Sequence, residues 1–208
     1  MTDPKTGLET TIDHYFSIRS SFAYLGIRRA SHLAAAHGRR LVHYPLDLQA
    51  LVARNGGVTY DKVHPMRSAN HHAELARWGR QLDIPVIVEP VHHVGPREKP
   101  SGLLILAQAA GHDADRLAYE ILAALWRDDR DIDDTRVLTD LCRRAGVPED
   151  LVGQSLDPDP QAVLAKNLER AIEAGAVGSP TYVVDGEVFF GQDRLDFVEE
   201  ALLRQRTV

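Results

Sequence analysis

The chain has 208 residues and a formal net charge of −6, from 24 Lys and Arg against 30 Asp and Glu. Hydrophobic residues make up 44% of it, enough for a substantial core, which excludes a disordered or collagen-like chain. The acidic balance argues against a nucleic-acid partner. The single cysteine, Cys142, excludes an intramolecular disulfide, a CxxC redox pair and a cysteine-rich zinc site.

The sequence has no long apolar segment that would direct it to a membrane or out of the cell. Residues 1–7 lack the apolar core of a signal peptide, and no apolar run approaches the roughly 20 residues that span a bilayer. We therefore expect a soluble cytoplasmic protein with no membrane partner.

The first part of the chain predicts a β-α-β unit. Residues 11–17 alternate and are rich in β-formers, apolar residues from Phe22 onward recur at helical spacing until Gly38, and residues 41–46 form a second strand. Residues 47–66 read as a long irregular stretch, which makes them a candidate functional loop.

Helical patterns dominate the middle of the chain, over residues 68–82, 101–111, 114–127, 134–146 and 159–175. A hairpin over 181–190 and a final helix over 193–204 follow them. This order predicts an α/β fold in which an all-helical insertion interrupts a thioredoxin-like domain. Two separate domains divided near residue 100 are the alternative, but each would have an incomplete sheet.

The domain bounds follow from the same order of elements. The discontinuous thioredoxin-like domain comprises residues 11–66 and 176–208, and the helical insertion comprises residues 67–175. Because the closing hairpin completes the sheet begun by the first unit, we expect both ends of the chain to lie in one domain.

Three junctions between elements are candidate sites. Ser20 begins the first helix, where a serine either caps the helix or helps to hold an anion. Pro180 follows Ser179 just before the hairpin; most such bonds are trans, but a cis bond would leave backbone groups free for a ligand. Asp193 either caps the last helix or binds a ligand ammonium group.

Taken together, these junctions resemble the 2-hydroxychromene-2-carboxylate isomerases and the related kappa-class glutathione transferases, which belong to the DsbA-like branch of thioredoxin folds. The matching segments keep their order through nearly the whole chain. They are residues 16–25 (FSIRSSFAYL), Arg77-Trp78, Ile84-Pro85, residues 178–181 (GSPT) and residues 189–195 (FGQDRL after Phe189).

The resemblance implies a thiol cofactor, glutathione or another low-molecular-weight thiol. Ser20 would position its thiolate without itself becoming covalent, Ser179 and Pro180 would pair with its backbone, and Asp193 would face its γ-glutamyl ammonium. The remaining cofactor-binding candidates are Gln192, Arg194, Phe22 and Lys62.

The implied reaction is cis-trans isomerisation of an aromatic carboxylate by reversible thiolate addition, usually in a homodimer. The substrate carboxylate needs a cation, for which Arg97, Lys99 and Lys62 are available. His64, in the long loop, is the histidine we expect in a substrate pocket. Trp78 is either a substrate wall or, as is commoner for a helical tryptophan, a core residue.

Two other functions stay open. A kappa-class-like transferase or peroxidase would leave the thiol in its product, and a non-catalytic thioredoxin-like protein would only bind. A disulfide oxidoreductase is excluded because Ser20 cannot form a mixed disulfide, and Cys142 is expected to be structural. We expect no metal, since adjacent histidines such as His71 and His72 point to different faces.

Overall fold

Four strands form one sheet in the computed structural model, which describes residues 10–59 and 62–204. They are β1 (Thr11–Phe16), β2 (Arg40–Pro45), β3 (Thr181–Val184) and β4 (Glu187–Phe190), in the order β2-β1-β3-β4. β1 runs parallel to β2 and antiparallel to β3, and β3 is antiparallel to β4. The two ends of the chain therefore share one sheet, as expected.

Helices cover both faces of the sheet and fill the middle of the chain. Within the described ranges they are α1 (Ser21–Ala36), α2 (Leu48–Arg54), α3 (Pro65–Gln81), α4 (Glu98–Ala109), α5 (Ala114–Trp126), α6 (Thr135–Ala145), α7 (Leu151–Gln154), α8 (Pro158–Glu173) and α9 (Leu195–Arg204). Across these ranges, no helix combines the length and the apolar character that crossing a membrane requires.

The prediction of irregular chain through residues 47–66 is wrong at both ends. The Asp47 carboxylate caps α2 by accepting the backbone N–H groups of Gln49 and Ala50. α3 already begins at Pro65, which suits the first helical position because its missing N–H has no partner to lose there. Asp47 and Pro65 are both typical of helix starts, but the glycines between them led to the prediction of an irregular stretch.

The clearest other differences from the predictions concern three elements. α4 begins at Glu98 rather than at residue 101, and α7 was not predicted because its four residues carry no periodicity. The last helix begins at Leu195, after a 3-10 turn formed by Gln192–Arg194. The hairpin was predicted correctly: Asp185 and Gly186 both have left-handed backbones, with φ of 49° and 88°, as a two-residue hairpin turn requires.

One core joins the sheet to the helical part of the chain. The side chains of Tyr24 and Ile27 on α1 lie in the same buried cluster as Leu117 and Ile121 on α5. The opposite face of the sheet packs against α2 and α8 through a separate cluster around Tyr15. The domain bounds given above remain a prediction, and the two proposed parts share a continuous apolar interior.

A buried polar chain runs from β1 through β2 to α5. His14 and His43 are opposite each other in the parallel register, and their Nδ1 atoms are 3.1 Å apart. His43 Nε2 lies 2.8 Å from the Asp115 carboxylate, which also accepts the Ser31 hydroxyl. Burial, reinforced by His43, holds the pKa of His14 well below its ordinary value. Burial acts to raise the pKa of Asp115, but its hydrogen bonds to His43 and Ser31 outweigh this and lower it.

We expect the free energy of unfolding to fall as the pH drops from about 7 to about 5. The unfolded chain protonates His14 near its ordinary pKa of 6.5, whereas the buried ring stays neutral, so acid favours the unfolded state. Each such proton contributes a slope of about 1.4 kcal/mol per pH unit. Urea unfolding at several pH values measures the slope of the free energy of unfolding against pH.

The control for this experiment is His14→Phe, which keeps an aromatic ring beside Phe16 and Tyr182, whose rings lie 4.3 and 5.0 Å from that of His14. We expect a shallower slope in the variant. A slope equal to that of the natural chain would show that His14 does not cause the acid sensitivity.

Candidate functional site

A cavity of about 500 Å³ opens at the N-terminal end of α1. Its volume lies in the range that small-molecule sites occupy. The end of β1, the starts of α1 and α2, the middle of α3 and the irregular segment of residues 88–97 enclose it. The lining residues are Ser17, Arg19, Ser20, Ser21, Phe22, Asp47, Leu48, Gln49, His71, His72, Val88, Glu89, Pro90, Val91, His93, Val94, Gly95, Arg97, Trp126 and Ser179.

Ser20 is the N-cap of α1. Its backbone is extended (φ −82°, ψ 122°), its hydroxyl oxygen accepts the Ala23 N–H at 3.2 Å, and its backbone N–H donates to the Ser17 carbonyl at 2.9 Å. The N–H groups of Ser21 and Phe22 have no acceptor among the described residues. This turn therefore presents two unpaired donors and the positive end of the helix dipole beside the Ser20 hydroxyl.

Ser179 adjoins Ser20 on the floor of the cavity. The Ser20 hydroxyl donates to the Ser179 carbonyl across a long 3.4 Å, and the Ser179 hydroxyl accepts the Ser17 N–H at 2.9 Å. The Ser179-Pro180 peptide bond is cis. The backbone N–H of Ser179 has no partner in the part of the chain that the structure describes, so it is a third donor available to a ligand.

Arg19 brings positive charge to the cavity. Its guanidinium donates to the carbonyls of His92 at 2.7 Å and Pro96 at 2.8 Å, and no carboxylate of the described residues lies within ion-pair distance of it. Burial lowers the pKa of Arg19 from its ordinary value, but arginine remains charged at neutral pH. The group thus ties residues 92–96 to the base of the cavity and adds a positive field there.

The segment of residues 88–97 forms one wall of the cavity. Two of its apolar side chains are strongly exposed, Val91 at 81% and Val94 at 71%. The segment is held at its middle by His92, whose ring lies 3.1 Å from the Asp129 carboxylate. That hydrogen bond raises the pKa of His92. The exposed valines give the mouth of the cavity an apolar surface.

His71 and His72 on α3 both line the cavity, although adjacent helical residues were expected to point to different faces. His71 Nε2 is 3.4 Å from the hydroxyl of the buried Ser21, and its ring meets the Phe22 ring edge-on. Burial, with a smaller effect of His72, lowers the pKa of His71. His72 pairs with Glu89 at 2.8 Å, which leaves the two histidines in different environments.

Most of the chain matches one protein family. A family model described as the DSBA-like thioredoxin domain matches residues 11–203. The chain belongs to this family. The predicted fold class, a thioredoxin-like domain interrupted by helices, is thereby confirmed.

Individual relatives of this DSBA-like domain include enzymes of known reaction. The 2-hydroxychromene-2-carboxylate isomerase of Sphingobium xenophagum is 28% identical over 196 residues, which cover 93% of this chain and 98% of that enzyme. A solved structure of a 2-hydroxychromene-2-carboxylate isomerase superposes with a TM-score of 0.79 at 22% identity, covering 94% of this chain and 95% of the other. These findings confirm the resemblance seen in the sequence, and the named relative supports an isomerase role.

Thiol oxidoreductases share the same fold. The cytosolic disulfide reductase DsbM of Pseudomonas aeruginosa, solved with GSH, superposes with a TM-score of 0.71 at 14% identity, covering 95% of this chain and all (100%) of that one. In this chain, serine stands at the start of α1, and Cys142 is fully buried in the core. Burial raises the pKa of Cys142 to about 11, so its thiol is unreactive near neutral pH.

The cavity of this DSBA-like domain brings together four of the predicted site residues, Ser20, Phe22, Arg97 and Ser179. Arg97 forms an ion pair with Asp47 on the cavity wall. Lys99, the alternative cation for the substrate, instead donates to the Asp133 carbonyl at 2.6 Å and does not line the cavity. Of the lysines and arginines considered for a substrate carboxylate, the structure therefore places only Arg97 at the cavity.

The residues predicted after the hairpin, Gln192, Asp193 and Arg194, do not line the cavity. Pro180 accepts the Gly191 N–H at 2.9 Å, which holds the 3-10 turn beside it. Gln192 is buried against α1, and Asp193 pairs with Arg194 at 2.9 Å. Asp193 lies inside the 3-10 turn, whose N-cap is Gly191, and its two proposed roles, helix cap and partner of a ligand ammonium group, stay predictions.

Three further predicted residues lie away from the cavity surface. Lys62 is exposed, and Tyr60 and Asp61, which precede it in sequence, lie outside the described residues. His64 is also exposed and caps α3, where its Nδ1 accepts the Met66 N–H at 3.2 Å. Trp78 packs against the main core, in keeping with the commoner role of a helical tryptophan.

Most residues of the cavity wall were not predicted as site residues. The cavity is lined by His71, Val91, His93 and Trp126, which are scattered along the chain and belong to no sequence motif. These residues share only their position near α1 in the folded chain. Hydrophobic periodicity does not predict that α3 crosses the start of α1. The tertiary packing alone identifies these residues.

Proposed function

We propose that this protein is a glutathione-dependent cis-trans isomerase that acts on an aromatic carboxylate of the 2-hydroxychromene-2-carboxylate type. The observation that carries the proposal is the convergence, on one cavity, of the Ser20 hydroxyl with the unpaired N–H groups of Ser21, Phe22 and Ser179. Each of these groups stabilises an anion, and a thiol that ionises there becomes a nucleophile.

Ser20 is suited to hold the thiolate because its hydroxyl hydrogen is weakly engaged. Its present acceptor, the Ser179 carbonyl, is 3.4 Å away, so the O–H can turn toward a sulfur anion at little cost. The Ala23 N–H continues to fix the oxygen meanwhile. A donor held in this way lowers the pKa of the bound thiol and raises the fraction present as thiolate.

The rest of the cavity matches an aromatic carboxylate. Phe22, Val88, Val91 and Trp126 supply apolar contact for a ring. Arg19 adds a positive charge that forms no ion pair with a carboxylate of the described residues. Arg97 already binds one carboxylate, that of Asp47. A substrate with an apolar ring and one acidic group thus finds both kinds of partner.

The reaction needs no net change in the thiol. The thiolate electron pair forms a C–S bond to the conjugated alkene, and the alkene π electrons move to the carbonyl oxygen as an enolate. The former double bond then rotates as a single bond. Return of the enolate electrons breaks the C–S bond and releases the thiolate, so one slow rotation is replaced by two easier steps.

The test is to follow the absorption spectrum of a 2-hydroxychromene-2-carboxylate with the protein, with and without glutathione. We expect conversion that requires glutathione while the glutathione concentration stays constant. Loss of one thiol per substrate would instead establish a transferase of the kappa type. Absence of conversion with any low-molecular-weight thiol would overturn the isomerase proposal and leave a binding protein.

The resemblance also implies a cytoplasmic homodimer, and we include both properties in the proposal. Sedimentation equilibrium measures the assembly directly. A mass equal to twice the 23.1 kDa of one chain is expected, and a monomer at micromolar concentration would contradict the homodimer.

A further inference from the structure

His71 is a titratable residue of the cavity to which the isomerisation described above gives no role. Its Nε2 lies 3.4 Å from the Ser21 hydroxyl, and its ring centroid lies 5.1 Å from that of Phe22 in an edge-to-face contact. Ser21 and Phe22 are the first two residues of α1, directly after Ser20. His71 is therefore held over the turn where the thiol is expected to bind.

The carboxylates of the cavity are already paired. Asp47 and Glu89 are the acidic residues that line it, and they form ion pairs with Arg97 and His72. Neither carboxylate can approach a bound thiol without giving up its ion pair. The histidines are the other side chains of the cavity that can take a proton from such a thiol.

His71 has the charge state that a proton acceptor requires. Burial and the neighbouring His72 lower its pKa, so the ring is neutral near pH 7 and carries a lone pair on one nitrogen. The other charged or titratable groups that line the cavity are His72, Glu89, His93, Arg19, Asp47 and Arg97. The buried Ser21 hydroxyl faces His71 Nε2 and can donate to that lone pair.

We propose that His71 takes the proton of the bound thiol through the Ser21 hydroxyl and returns it when the thiol leaves. The thiol S–H bond breaks and its proton moves to Ser21 Oγ, while the hydroxyl proton of Ser21 moves to His71 Nε2. The sulfur keeps the electron pair and uses it to attack the alkene. The reverse transfers restore the thiol, so no oxidant or reductant is consumed.

This proposal rests on the proposed thiol-dependent function, and two measurements separate them. The first is the pKa of glutathione bound to the protein, followed by the ultraviolet absorbance of the thiolate. The second is the pH profile of kcat/KM for isomerisation. The variants are His71→Gln and, as the matched control, His32→Gln, an exposed histidine on α1 outside the cavity.

We expect His71→Gln to lower kcat/KM at neutral pH by about 100-fold, the usual effect of losing a positioned base. The pKa of the bound thiol should rise, the KM for glutathione should change little, and the acidic limb of the pH profile should move to higher pH. Free imidazole should restore part of the rate in His71→Ala. His32→Gln should behave as the natural chain does.

Each result decides a different question. If His71→Gln keeps both the natural pH profile and the natural thiol pKa, the role of His71 is overturned, while thiol-dependent conversion by the natural chain still supports the isomerase. If glutathione binds but no isomerisation occurs, the function fails and the thiol titration still tests His71. If neither glutathione nor another low-molecular-weight thiol binds, both proposals are overturned.

Discussion

Ser20→Gly is expected to lower thiol-dependent isomerisation by about 100-fold, the effect typical of removing one donor from a developing anion. The Ser20 hydroxyl is the side-chain donor at the start of α1, and its present acceptor lies 3.4 Å away. Without it the bound thiol keeps its proton to higher pH, so less thiolate is present at neutral pH. The spectral assay with glutathione at a fixed concentration measures the loss.

Glycine is chosen because Ser20 is also a helix cap. Replacing a capping serine by alanine costs about 1 kcal/mol of stability, whereas glycine costs only a few tenths. Ser20→Gly therefore separates the chemical role of the hydroxyl from its structural role. Asp113→Ala provides a matched control, since Asp113 caps α5 by accepting the Arg116 N–H at 2.9 Å and does not line the cavity.

The test variant and its control should differ in opposite ways. Asp113→Ala should lose about 1 kcal/mol of stability and keep its activity. Ser20→Gly should show the opposite behaviour, with an almost unchanged urea midpoint and a large loss of kcat/KM. Full activity in Ser20→Gly would overturn the assignment of Ser20 to the thiolate.

Gly102→Ala is expected to destabilise the fold by about 3 kcal/mol, the upper end of the usual cost of overpacking. Gly102 lies on α4 where that helix meets the chain after α7. A methyl group there would overlap the backbone carbonyl oxygen of Ser155 and would lie 2.9 Å from the Gln161 amide nitrogen. The Ser155 carbonyl accepts that amide at 2.7 Å, so the backbone cannot move away without losing this hydrogen bond.

Gly153→Ala is the matched control on α7. An added methyl group at Gly153 meets nothing within 4 Å, and the residue is exposed. Alanine there restricts the unfolded chain and should stabilise the protein by about 0.5 kcal/mol. Urea unfolding of both variants measures the contrast, and equal stabilities would show that α4 and α7 do not pack as closely as described.

Local patterns in the sequence predicted the elements of this fold well where the signal lies in neighbouring residues. Ser20 before an apolar stripe gave the start of α1, and Asp185-Gly186 gave the hairpin, because caps and tight turns depend on a few adjacent backbone angles. The start of α2 at Asp47 was missed for a related reason. A short helix beside the glycines at 56–57 has too few residues to show periodicity.

The candidate site was only partly predictable. Ser20 and Ser179 were predicted because they stand at the ends of elements and match a family pattern, and the structure places them within hydrogen-bond distance at a sequence separation of 159. The residues at 192–194 match the same pattern, but their side chains are directed by packing against α1 and by a local ion pair. The family pattern alone could not show which of its residues line the cavity and which do not.

The sequence by itself determined the class of the fold, the order of its elements and the presence of a serine where a redox protein needs a cysteine. Only the tertiary structure decided which side chains meet at that serine. The approach of α3 and of residues 88–97 to the start of α1 depends on long-range packing of apolar faces, which no local pattern specifies. That packing brings His71 to Ser21 and residues 92–96 to Arg19, so the proposed thiol site gains a neutral histidine beside it and a guanidinium held in place by two carbonyls.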